Sequence, residues 1–222
     1  MIELKWDFGS AYDFFISIFV IHHPDRFGLR PAWAAGVRSR LSCEERQFLE
    51  NSMIFFPVPL TWIHQLPLEE KSTPTVLDAL AAIAPEKRLI SLYRPSLVTE
   101  DIHSTVDRIY ENQKISSEDL EILRPLFQGR SSSLKIRDLQ KIAEVFLDPK
   151  AFGEQFLNVL KVYYQVFFEE EEKRILPILK DGLQMAQKKA SVHPIPELLE
   201  DLSHGVKLEK IDTYRKIILA PS

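Results

Sequence analysis

Cysteine is nearly absent from this chain, and so is any cluster of positive charge. The single thiol, Cys43, excludes an intramolecular disulfide and fits a reducing cytoplasm. There are only 7 glycines in 222 residues, and neither Gly28 nor Gly36 follows a strand and opens a helix with further glycines, so no phosphate-cradling loop is present. The 28 Lys and Arg are outweighed by 32 Asp and Glu, for a formal charge of −4. Gripping nucleic acid needs a clustered basic face, and Lys188-Lys189 is too short to form one. Long apolar runs are missing too. Phe14–Ile21 is too short to cross a bilayer, follows Asp13, and lacks a basic leader or a small-residue cleavage site.

With 45% hydrophobic residues the chain can still bury a substantial core. Ile2, Leu4, Trp6 and Phe8 alternate with Glu3, Lys5 and Asp7, the period of a half-buried strand. Ser10 then caps a helix to about His22, Pro31 opens a short helix carrying Trp33, and Ser42-Cys43-Glu44-Glu45 is a capping box for a helix reaching about Met53. The two prolines in Ile54–Trp62 predict an extended segment lying on the core. Helices follow over Thr73–Ile83, from Pro85 to near Tyr93, over Thr99–Asn112, from Ser116 or Ser117 to Phe127, and over Leu134–Leu147, with Gln128–Ser133 the clearest loop. Pro196 starts a further helix that Gly205 stops. Val206–Leu208 and Arg215–Leu219 predict a hairpin that pairs with the first strand. The expected fold is mainly α, a single multi-helix domain with a small β-sheet formed by the N-terminal strand and a C-terminal hairpin.

The longest helical pattern runs from Asp148 to Ala190. Asp148-Pro149 is an N-cap followed by proline at the first helical position. Counting about 100° per residue, Phe152, Phe156, Val159, Leu160, Tyr163 and Phe167 share one face. Continued unbroken, the count puts Glu170 and Arg174 in the middle of that stripe and Ile175, Leu179, Leu183 and Ala186 about half a turn away. The apolar face therefore changes side. Pro177, which removes a ladder hydrogen bond, is where a kink or split is expected. Glu170, Arg174 and Pro177 are candidates for a switch or interface.

Few residues suggest chemistry. His22, His23 and Asp25 cluster at a helix end and are read as a terminus interaction ahead of a metal site. His103 and Asp107 sit four apart, the spacing of a solvated pair. His64, His193 and His204 are isolated, and Cys43 has no histidine at a motif spacing. Glu169–Glu172 point about 100° apart successively and cannot converge on one cation. No catalytic residue, metal site or cofactor is expected. The aromatic residues Trp33, Phe55, Trp62, Tyr163, Tyr164 and Phe167 are candidate lining for an apolar pocket.

Four stretches carry a family likeness: Tyr163–Glu169, Ile175-Leu176-Pro177-Ile178-Leu179, Leu198-Leu199-Glu200-Asp201-Leu202-Ser203-His204, and Ile217-Ile218-Leu219-Ala220-Pro221-Ser222. Their order resembles the N-terminal portion of bacterial ArsR-type transcriptional regulators, with an aromatic helix end, a proline-containing helix, an L-x-x-L-H/S helix and a strand ending in L-x-P-S. The early strand, aromatic helix and Pro31-Ala32-Trp33 are also similar, whereas Ser96–Leu147 has no counterpart. The resemblance implies a ligand-sensing or dimerisation domain, a homodimer, and DNA contact only through a C-terminal winged helix-turn-helix lying outside this chain. It implies a small apolar or aromatic ligand and no membrane partner. The alternative is a helical protein-interaction module unrelated to transcription. The lack of a converging nucleophile and base argues against an enzyme.

Overall fold

The computed structural model describes residues 2–52, 57–127 and 136–221, without the side chains of residues 136 and 137. Phe55, the serine-rich stretch 128–133 and the expected helix end at Met53 lie outside the described residues. The fold is mainly helical, with a small sheet joining strands from the two ends of the chain. No described helix is long and apolar enough to cross a membrane.

Strand β1 (Glu3–Trp6) leads into α1 (Ala11–His22), α2 (Pro31–Arg38) and α3 (Cys43–Ser52). The capping box of α3 forms reciprocally: Glu45 N–H donates to Ser42 Oγ at 3.2 Å, and Ser42 N–H donates to Glu45 Oε2 at 2.8 Å. Next comes α4 (Leu60–Gln65), so Leu60, Thr61 and Trp62 are helical and not extended as expected. Pro59 stands at the N-cap, and the chain turns into helix directly after it. Then follow α5 (Thr73–Ala81), α6 (Pro85–Ser91), α7 (Glu100–Asn112), α8 (Ser117–Phe127), α9 (Ile136–Ala143) and α10 (Pro149–Tyr163). Asp148 caps α10 as expected, accepting from Ala151 N–H at 3.0 Å.

A π-helical stretch, Tyr164–Phe168, joins α10 to α11 (Glu169–Ala190) without a break. This stretch accounts for the change of face. A π turn holds one extra residue, so every residue after it is rotated by about 100° relative to an unbroken α count. Buried Leu179 and Ala186 and half-buried Ile175 and Leu183 then fall close to the aromatic stripe of α10, while Glu170 and Arg174 turn to solvent. Pro177 is exposed, and α11 runs through it. The joint is therefore not at Pro177, where a kink or split is expected from sequence, but at the π turn ahead of it and of the glutamates.

Helix α12 (Ile195–Leu202) follows, tied to α11 by a 2.6 Å Lys189–Asp201 ion pair, and β2 (Lys216–Leu219) closes the sheet. The strands pair in parallel, with Glu3 opposite Lys216 and Trp6 opposite Leu219. Val206–Leu208 lies outside the sheet, so the C-terminal contribution is one strand and not a hairpin. A parallel partner cannot arrive through a tight turn, and here the whole helical body forms the connection.

Two apolar clusters fill the interior. One gathers α1, α2, α5 and α10 around Phe14, Phe15, Phe156, Tyr163 and Phe168, with the Phe14 ring edge-on to Phe15 and Phe168 at 5.1 and 5.2 Å. The other gathers α6 to α9 around Tyr93, Ile109, Phe127 and Phe146, and Phe152 touches both. Between them, buried Arg88 donates to the carbonyls of Leu80, Ala81 and Ile83 at the end of α5 and to Gly153 O in α10, at 3.0–3.2 Å. A guanidinium suits the negative end of α5, where carbonyls lack partners within the helix. At Gly153 the backbones of α6 and α10 meet: a Cβ there would lie 1.9 Å from Pro85 O. Gly153→Ala is therefore expected to destabilise the fold by at least about 1–3 kcal/mol in urea unfolding. An unchanged midpoint would mean that the two helices are not in this contact.

Candidate functional site

A single buried carboxylate organises the polar cluster where the N-terminal strand meets the first helix. Asp7 follows β1 directly, and its side chain is 6% exposed. One oxygen accepts from Lys71 Nζ at 2.5 Å, and the other accepts from Tyr12 Oη and from His64 Nδ1, both at 2.6 Å. Phe8 N–H adds a fourth bond at 2.9 Å. Burial pushes the Asp7 carboxyl upward, but the donors Lys71, Tyr12, His64 and Phe8 outweigh it and hold the group below 3.8, so it is a carboxylate. Burial, together with the neighbouring Asp7 charge, raises the Tyr12 phenol far above its ordinary value, so Tyr12 is a fixed donor.

The backbone explains why these groups converge. Gly9 has φ +155°, and a Cβ there would lie 2.1 Å from Lys71 O, so only glycine lets the two chains pass. Around it Lys71 N–H donates to Phe8 O and Ala11 N–H donates to Lys71 O, at 3.0 and 3.1 Å. Lys71, itself 4% exposed, is thereby pinned beneath Asp7.

Tyr12 and His64 also form part of the wall of a cavity of about 310 Å³. Its other lining residues are Ile16 of α1, Leu60 and Thr61 of α4, and Ile218 and Ala220 at the C-terminal strand. This volume is at the small end of the ~300–1,000 Å³ typical of ligand sites, and the lining is mostly apolar with a few polar groups, the usual recipe. Because Asp7 is ionised, His64 donates from Nδ1, which leaves Nε2 facing Lys216 Nζ at 3.4 Å. Among the described residues no serine or cysteine is hydrogen-bonded to that imidazole, whose partners are Asp7 and Lys216.

A second polar cluster lies across α1. Glu172 accepts from Thr73 N–H at 2.9 Å, from Tyr164 Oη at 2.7 Å, and from Ser10 Oγ. Burial raises its carboxyl, and these donors more than compensate, holding it below the usual value. The π turn is what brings Glu172 inward.

The expected aromatic lining does not enclose the cavity beneath the sheet. Tyr163 is fully buried and shares a 3.0 Å hydrogen bond with Ser17, and burial raises its phenol. Phe167 is buried with its ring 6.0 Å from that of Trp33, itself 44% exposed, and Tyr164 is committed to Glu172. Trp62 packs half-buried on the core. These residues form the aromatic core and its rim, because α10 turns its aromatic face toward α1 and α2. Glu170 and Arg174 do not pair with each other: Lys173 takes Glu169 and Glu170 at 3.1 and 3.0 Å, and Arg174 takes Glu171 at 2.6 Å, all at the surface. His22 donates to Ile18 O at 2.7 Å, and among the described residues no three His, Cys, Asp or Glu are grouped as metal ligands. His103 and Asp107 share the border of an open cleft of about 880 Å³ beside α6 and α7, with no hydrogen bond between them.

Replacing Asp7 with Asn leaves the buried Lys71 charge unpaired, and a cost of roughly 3–5 kcal/mol is expected in denaturant unfolding at neutral pH. Because the folded Asp7 value is lowered, its contribution is present above the unfolded value of 3.8 and is lost as pH falls through the lowered folded one. The penalty of Asp7→Asn should accordingly shrink in strong acid, and a penalty independent of pH would show that the carboxylate charge is not what matters. No family model, curated protein or solved structure matches the chain.

Proposed function

We propose that this chain is the ligand-sensing and dimerisation region of a bacterial transcriptional regulator of the ArsR-type group, with DNA contacted by a winged helix-turn-helix outside these residues. The observation that carries the reading is that the cavity and the sheet share a wall. Ile218 lies in β2 and Ala220 just beyond it, so a molecule in the cavity touches the strand that in those regulators leads on to more sheet and the DNA-reading domain. A ligand that favours one position of β2 over another shifts the equilibrium of whatever β2 is attached to, which is what a sensor requires.

Other features support it. The second edge of β2 has no strand beside it among the described residues and is open to pairing. The acidic chain suits a region that leaves phosphate contacts to another domain. Ile178 and Met185, seven apart on α11, are exposed on one face of the helix, a spacing that lets a second copy cover them.

The test uses the full gene product and DNA flanking its own gene. Sequence-selective binding is expected, with an affinity that falls several-fold or more between about 50 and 200 mM salt, and residues 1–222 alone should not bind. Binding by residues 1–222 alone, or no selective binding by the full product, would contradict the reading.

A further inference from the structure

We infer that the cavity beneath the sheet takes a small carboxylate with an apolar body, its anionic head at Lys216 and its body against Ile16, Leu60 and Ile218. This rests on the sensing reading above and adds the chemistry of the ligand.

The charge balance at the cavity mouth points to an anion. Asp7 is already matched by Lys71 at 2.5 Å and by two further side-chain donors, so the buried cluster offers no spare negative charge to its surroundings. No residue lining the cavity is acidic. Lys216 lies beside the cavity and not in its wall, meeting it through His64; its partner in the sheet register, Glu3, is taken by Lys5 at 3.1 Å. The Lys216 Nζ donates to His64 Nε2 at 3.4 Å and makes no ion pair with any described residue. Side chains two apart on a strand share a face, so Lys216, Ile218 and Ala220 lie on the same side of β2, and the latter two line the cavity. The ammonium therefore lies next to His64 in the cavity wall, within reach of a head group that projects from a molecule lying along Ile218.

The lining sets the rest of the molecule. Leu60 is 43% and Ile218 39% exposed, apolar surface at the cavity that a ligand body would cover. Thr61 adds one hydroxyl, and Tyr12 is committed as a donor to Asp7. About 310 Å³ accommodates a single ring or a short chain, not a nucleotide or a peptide. His64 acts as a positioning residue: the Asp7 carboxylate fixes its ring, and its Nε2 holds the flexible lysine over the mouth, as an outer partner fixes the group it supports.

The experiment titrates the 222-residue chain with benzoate and with benzamide, which has the same shape without the charge, by calorimetry. Hexanoate and hexanamide form a second, aliphatic pair. Each acid is expected to bind at least about ten-fold more tightly than its amide, the size of one charge-assisted hydrogen bond. Lys216→Gln should bring that ratio close to one while leaving amide affinity unchanged, and Ile16→Trp, which fills the cavity, should abolish binding of all four. An Asp7→Asn chain that remains folded should lose part of the acid preference, because His64 is then released. The inference is overturned if acid and amide bind equally, if the acid preference survives Lys216→Gln, if Ile16→Trp leaves binding intact, or if neither acid binds. Binding by the amides alone would discard the carboxylate chemistry and leave the sensing reading standing. That reading is decided separately by the DNA experiment.

Discussion

The Asp7 carboxylate is the constraint on which this architecture turns. A charge that far from water is costly unless its oxygens are filled, and here donors come from α1, from α4, from the segment ahead of α5 and from the adjacent backbone. Satisfying one residue fixes the end of β1, the start of α1, the ring of His64 and the path of Lys71. The close passage at Gly9 belongs to the same arrangement, since Lys71 reaches Asp7 only because its backbone lies against the turn that carries Asp7. Two of the cavity's wall residues, Tyr12 and His64, are held by the same carboxylate.

The helical body solves a different problem. The α10–α11 rod must keep one face inward over more than forty residues, and the amino-acid pattern drifts off that face after Phe168. Inserting a π turn restores the register, at the cost of poorer backbone geometry over Tyr164–Phe168. Surrounding contacts hold the turn: Arg40 donates to Val166 O at 3.2 Å and lies 5.8 Å from the Phe167 ring, while Glu172 reaches back to Tyr164. Arg88 joins the two cores by donating to carbonyls at the end of helix α5 and to Gly153 O in α10. In each case a break in regular secondary structure is matched by a specific long side chain.

Much of the helical layout was legible because its determinants are local. Ser42 with Glu45, and Asp148 with Pro149, are caps whose partners lie three residues away, and both form as their spacing indicates. The pairing of the two chain ends was also readable, from the alternation of Ile2 to Phe8 and the apolar run at Ile217–Leu219. The polar site was not. Asp7 alternates like a solvent-facing strand residue and His64 has no neighbour of interest in sequence, and the two meet only when β1 and α4, fifty-seven residues apart, come together. The π turn is half visible in sequence: the shift of face and the end of the aromatic stripe near Phe168 show in the pattern, but a π turn has no residue signature, and the acidic residues and Pro177 that follow are the breaks the sequence displays. The aromatic residues at helical spacing read first as core and only second as cavity lining, and Phe156, Tyr163 and Phe167 are buried in the first core.

Sheet and cavity meet at β2. Its backbone pairs with β1, its face closes the cavity, and Lys216 extends from it to the ring that Asp7 holds. If Asp7 organises this region, loosening it should free the sheet, the start of α1 and the segment 64–71 as one unit and spare the second core. Residue-resolved hydrogen exchange of Asp7→Asn against the unaltered chain measures this directly. The account predicts faster exchange at Glu3–Trp6, Lys216–Leu219 and around Lys71 together, with α7 and α8 unchanged. Faster exchange confined to the residues next to position 7, with β2 as protected as before, would contradict it.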